Sequence, residues 1–73
     1  GHTMKENKKK ICDLLLPAIQ ATRNGEDVTA LDYVKEETGE EFVYIKFKGG
    51  FSYRACVTAD SGAAMIRDIM REL

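Results

Sequence analysis

Two glycine-bearing turns, Glu36-Glu37-Thr38-Gly39 and Lys48-Gly49-Gly50, divide the middle of this 73-residue chain. Around them lie three runs rich in Val, Ile, Thr, Tyr and Phe: Val28 to Lys35, Phe42 to Lys48 and Phe51 to Thr58. Residues of this kind favour pleated, half-buried strands, and short glycine loops join such strands into antiparallel hairpins. Side chains alternate between faces along a strand, so a slip of one residue moves every apolar side chain to the other face. Loop length therefore decides the core. A two-residue Thr38-Gly39 loop sets Asp32 against Ile45 and buries a carboxylate. A three-residue loop with Gly39 as the left-handed bulge residue sets Tyr33 against Val43 and Leu31 against Ile45. At the second turn, a two-residue Gly49-Gly50 loop brings Ser52, Arg54 and Cys56 to the Ile45 face. A three-residue Lys48-Gly49-Gly50 loop brings Phe51, Tyr53, Ala55 and Val57 there instead. Both hairpins are expected in the three-residue form, with Gly39 and Gly50 as bulge glycines. The core face is then Leu31, Tyr33, Val43, Ile45, Phe47, Phe51, Tyr53, Ala55 and Val57. The opposite face carries Ala30, Asp32, Val34, Phe42, Tyr44, Lys46, Ser52, Arg54 and Cys56.

Helical periodicity flanks the strands. From Lys5 to Asn24, the residues Ile11, Leu14, Leu15, Ala18, Ile19 and Thr22 share one face, with Lys9, Asp13, Gln20 and Asn24 opposite. Asn24-Gly25 is a stop signal. Pro17 cannot donate to Asp13 and crowds its carbonyl, which predicts a kink or a restart there. From Ser61 to Leu73, the stripe is Ala63, Ile66, Ile69, Met70 and Leu73, with Arg67, Asp68, Arg71 and Glu72 on the wet side. Asp60 is the expected N-cap. The order helix, three-stranded meander, helix predicts an α+β fold: an αβββα two-layer sandwich with both helices on one face of the sheet.

Composition narrows the function. Gly1-His2-Thr3-Met4 reads as a tag scar and a start methionine, which leaves residues 5–73 as one α+β domain. His2 is the single histidine and sits in that scar, so the commonest general base and metal ligand is missing from the expected natural chain. Formal net charge is −1, which provides no global basic field for nucleic acid. No apolar run approaches the roughly 20 residues of a membrane span. Lys8-Lys9-Lys10 ahead of Ile11 to Leu16 resembles the start of a signal peptide, but Asp13 interrupts the apolar run. Cys12 and Cys56 lack metal spacing and are expected as reduced thiols in a cytoplasmic protein, with a single disulfide between them as the lesser alternative. A domain of roughly 60 residues hides only about 60% of its unfolded surface, so self-association is a ready way to add burial.

The chemically suggestive groups are few. Phe42, Tyr44, Lys46 and Arg54 share the open sheet face, beside Val34. Aromatic rings interleaved with cations suit a protein interface, plain surface, or single-stranded bases. Glu36, Glu37, Glu40 and Glu41 form an acidic hairpin tip, read as solvated or as a dock for a basic partner. Lys5 with Lys8-Lys9-Lys10 makes a basic arm, read as solvated or as a phosphate contact. Ser61 has no histidine to activate it, and Cys56 has only Arg54 near it to lower its pKa. No cofactor, metal or catalytic set is expected.

The αβββα order is similar to that of the double-stranded RNA-binding domain. That family places lysines at the start of its last helix and a groove-entering loop between its first two strands. Here those positions hold Asp60-Ser61-Gly62-Ala63-Ala64 and Glu37-Thr38-Gly39-Glu40, so the likeness implies topology and no RNA-binding residues. The segment Arg54 to Ile69 resembles the C-terminal half of short phage and mobile-element proteins of Firmicutes, which implies an accessory factor acting by binding. The expected function is a small non-catalytic protein-interaction module that also self-associates. Its contact is placed first on Phe42, Tyr44, Lys46 and Arg54, and second on Arg67 and Arg71. The alternative is a weak single-stranded nucleic-acid binder using Tyr44, Lys46 and Arg54.

Overall fold

The structure, a computed structural model, describes residues 7–73. The expected scar, the start methionine and Lys5 lie outside the described residues. The elements are α1 (Lys8–Gln20), β1 (Val28–Lys35), β2 (Glu41–Phe47), β3 (Ser52–Cys56) and α2 (Gly62–Arg71). The strands form one antiparallel sheet in the order β1-β2-β3. Both helices bury residues against the same face, which gives the expected α+β sandwich.

The register follows the loop argument. Tyr33 pairs with Val43 and Leu31 with Ile45, while Val43 pairs with Ala55 and Ile45 with Tyr53. In the first turn Gly39 has φ 94°, and its N–H donates to the Glu36 carbonyl at 3.0 Å. In the second, Phe47 N–H donates to the Phe51 carbonyl at 3.0 Å and closes a three-residue loop. Gly49 shares the positive φ of Gly50, a conformation expected of Gly50 alone. β1 carries a register shift between Val28 and Ala30.

The core joins Val28, Leu31, Val43, Ile45, Ala55 and Val57 of the sheet side to Cys12 and Ile19 of α1 and to Met65 and Ile69 of α2. Each large side chain so buried contributes about 1.5–3 kcal/mol. Both helices are rotated from the expected phase. In α1, Cys12 is fully buried whereas Leu14 is 68% exposed and Ala18 is also outside. In this phase Lys8 shares a face with Cys12, Leu15 and Ile19 and bonds Glu41 of the sheet at 2.9 Å. In α2, Gly62, Met65 and Ile69 are buried, while Ala63 and Met70 face outward.

The helix ends also differ from expectation. Asn7 Oδ1 accepts from Lys10 N–H at 3.0 Å and caps α1. The helix runs through Pro17, and because Pro17 and Asp13 are both exposed, water can serve the freed carbonyl. α1 stops at Gln20, short of Asn24. There the Ile19 carbonyl accepts from Thr22 N–H at 2.9 Å and from the Thr22 hydroxyl at 2.7 Å, which diverts it from a further helical turn. The cap of α2 is Ser61, not Asp60: Ser61 Oγ accepts from Ala64 N–H at 3.1 Å.

Candidate functional site

On the open sheet face, Tyr44 pairs with Asp32 on one side and Arg54 on the other. Lys46 Nζ lies 2.6 Å from Asp32 Oδ2, and the Arg54 guanidinium sits 4.4 Å from the Phe42 ring centroid. Phe42 is therefore not open: only 8% of it is exposed, between Val34 and Cys56 and beneath Arg54. Tyr44 is half-buried, and the two cations each hold a partner on the sheet. The structure brings Phe42, Tyr44, Lys46 and Arg54 together as expected, but as a self-satisfied cluster.

Arg67 and Arg71 are both exposed on α2. Arg67 Nε is 3.6 Å from Asp68 Oδ1. Arg71 occupies the last turn, where a cation suits the helix dipole. With Ala55, Cys56, Asp68 and Glu72, it lines a shallow groove between the end of β3 and α2.

The acidic tip and the basic arm divide. Glu36, Glu37 and Glu40 are exposed, but Glu41 turns toward the helices. Its Oε1 accepts from Lys8 Nζ at 2.9 Å and from the Tyr33 hydroxyl, and its Oε2 accepts from Ala59 N–H at 2.9 Å. The Tyr33 hydrogen bond foremost, then Lys8 and Ala59, holds the Glu41 carboxyl down at about 2. The same bond pushes the Tyr33 phenol up to about 12. Ala59 takes a left-handed φ of 60°, which that carboxylate stabilises. Lys8 is thus a structural cation, not part of a free arm.

Other titratable groups are also tied to the scaffold. Burial, then the charges of Asp13 and Asp32, pushes the Cys12 thiol up to about 11. Cys12 and Cys56 are both free thiols. Asp60 is raised, first by its hydrogen bond to Asp68 and then by burial, and Asp68 is lowered, first by the same bond.

The surface that the sequence reading missed lies on the helix side. Phe51 and Tyr53 were expected in the core, yet they are 51% and 50% exposed. Phe47 and Phe51 stack with centroids 4.8 Å apart and planes 7° from parallel, and Tyr53 meets Phe47 edge-on at 5.3 Å. The helices leave this end of the sheet uncovered. α2 has ten residues, about 15 Å of helix, and α1 packs chiefly on β1 at the far edge. Element lengths were the one signal available: two short helices set against nine apolar sheet positions. No protein-family profile, curated protein or solved structure matches this chain.

Proposed function

We propose that this chain is a small non-catalytic protein-binding module. It docks its partner on the uncovered end of the sheet, at Phe47, Phe51, Tyr53 and the adjoining edge of β3. The observation that carries this reading is the pair of half-exposed rings, Phe51 and Tyr53, beside an edge strand. Clustered exposed aromatic rings are costly to leave in water and are enriched at protein interfaces. An open strand edge adds backbone hydrogen bonds to such a contact. The titratable groups with displaced pKa values, Glu41, Tyr33, Cys12 and Asp60, serve packing and loop contacts, which further supports binding over catalysis. The open face, with Phe42 covered and both cations engaged, is the weaker site.

Capture from native lysate tests the reading. The wild-type chain retains a partner, a Phe51→Ser/Tyr53→Ser double variant with unchanged circular dichroism loses it, and Tyr44→Ala keeps it. Capture that survives the double variant refutes the site.

A further inference from the structure

We infer that the partner is a second copy of this chain, which lays its β3 antiparallel to β3 across a two-fold axis at Tyr53; this rests on the docking reading above. The backbone supplies the first reason. Phe47 N–H donates to the Phe51 carbonyl and Val57 N–H to the Glu41 carbonyl, so the odd-numbered residues of this stretch turn their polar groups toward β2. By alternation, Ser52, Arg54 and Cys56 turn theirs outward along the sheet edge.

The two edges of the sheet are unlike. β1 is guarded by its register shift at Val28/Ala30 and by the charges of Asp32 and Lys35. β3 pairs without a register shift and carries neither proline nor lysine. Bulges, prolines and charged side chains, lysine above all, are the usual devices that keep an edge from pairing; β3 has no bulge, proline or lysine, and its one charge, Arg54, is folded over the Phe42 ring.

Charge and shape select the register. An axis at Arg54 sets two guanidinium groups directly opposite each other, which is unfavourable. An axis at Tyr53 sets Ser52 opposite Arg54 of the second copy, and each such pair exchanges both backbone bonds. Phe51 then faces the small Ala55 of the other copy, and the rings of both copies merge on the helix side. The same register sets Gly50 of the second copy opposite Cys56. The Gly49-Gly50 turn, free of side chains, runs beside the groove of Ala55, Cys56, Asp68, Arg71 and Glu72. It brings Lys48 toward Glu72, which makes no ion pair among the described residues, whereas Asp68 is already held by Arg67 and Asp60. Lys48 is exposed, and its ammonium makes no ion pair among the described residues. This charge match is what a second copy brings to the edge.

Site-directed cross-linking of the full chain tests the geometry. Tyr53 opposite Tyr53 is a non-hydrogen-bonded pair, with Cα atoms about 4.5 Å apart and within disulfide reach. Tyr53→Cys on a Cys56→Ser background, treated with oxidised glutathione, gives a disulfide dimer, whereas Glu37→Cys on the same background stays monomeric. In sedimentation equilibrium the wild type reaches twice the chain mass. Ser52→Pro, which removes an outward N–H at the first strand position, is monomeric with unchanged circular dichroism. Lys48→Glu raises the dimer Kd about tenfold. A wild type that stays monomeric at millimolar concentration, with no cross-link at position 53 above the control, overturns the second copy. If lysate capture still depends on Phe51 and Tyr53 in that case, a foreign strand occupies the edge and the docking reading stands. If it does not, both fall.

Discussion

Glu41 accepts from three donors, Lys8 Nζ, the Tyr33 hydroxyl and Ala59 N–H, which come from α1, β1 and the loop before α2. Glu41→Gln keeps the shape but replaces an acceptor oxygen with an NH2, so one of those donors must face another donor. Holding the carboxyl at about 2 rather than 4.5 corresponds to about 3 kcal/mol. The side chain is 12% exposed at the sheet rim, and solvent screening there takes the net to about 1–2 kcal/mol. Because the folded value lies below the unfolded one, this stability is complete above pH 4.5 and is lost as pH falls toward 2. The assay is urea denaturation of wild type and Glu41→Gln at pH 7 and pH 2. We expect a gap of about 1–2 kcal/mol at pH 7 that closes to a few tenths at pH 2. The other carboxylates titrate in both proteins and cancel in the difference. A gap that is equal at the two pH values, or below about 0.5 kcal/mol at pH 7, refutes the reasoning.

Three further predictions follow from the packing. Met65→Ala costs about 2–5 kcal/mol in urea denaturation whereas Met70→Ala costs under about 1, because Met65 is fully buried and Met70 is 40% exposed. Ala59→Gly raises stability by about 0.5–1 kcal/mol in thermal denaturation, since it relieves the left-handed φ of 60°. Asp32→Ala costs under about 0.5 kcal/mol, because its ion pair with Lys46 lies at half-exposed side chains.

Strand pairing was legible because a period of two admits only two registers per hairpin, and one of them buries Asp32 or Arg54. Helix phase was not. Ile11, Cys12, Leu14, Leu15, Leu16 and Ala18 spread apolar character around much of α1, so periodicity does not choose a face. The phase that forms is the one that sets Lys8 against Glu41, a contact between residues 33 apart in the chain that periodicity does not register. Glu41 looked like one of four glutamates at a turn, although its odd number placed it with Val43 and Ile45 on the helix side. The docking surface was hidden for a related reason. Alternation assigns Phe51 and Tyr53 to the core face, but exposure depends on where two short helices stop. Phe42 shows the reverse case, an outer-face ring that a cation from the neighbouring strand covers.

The Glu41 contact also has a consequence for how the domain opens. It fastens the first turn of α1 to the entry of α2, so neither of these two segments can fray alone. Releasing Lys8 unloads the carboxylate that holds Ala59, and straightening Ala59 withdraws a donor from the carboxylate that holds Lys8. The first turn of α1 and the residues from Ala59 to Ala64 therefore form one opening unit, despite being about fifty residues apart in the chain. Their amides exchange with solvent deuterium together, and Glu41→Gln speeds both by a similar factor while leaving Val43 and Ile45 slow.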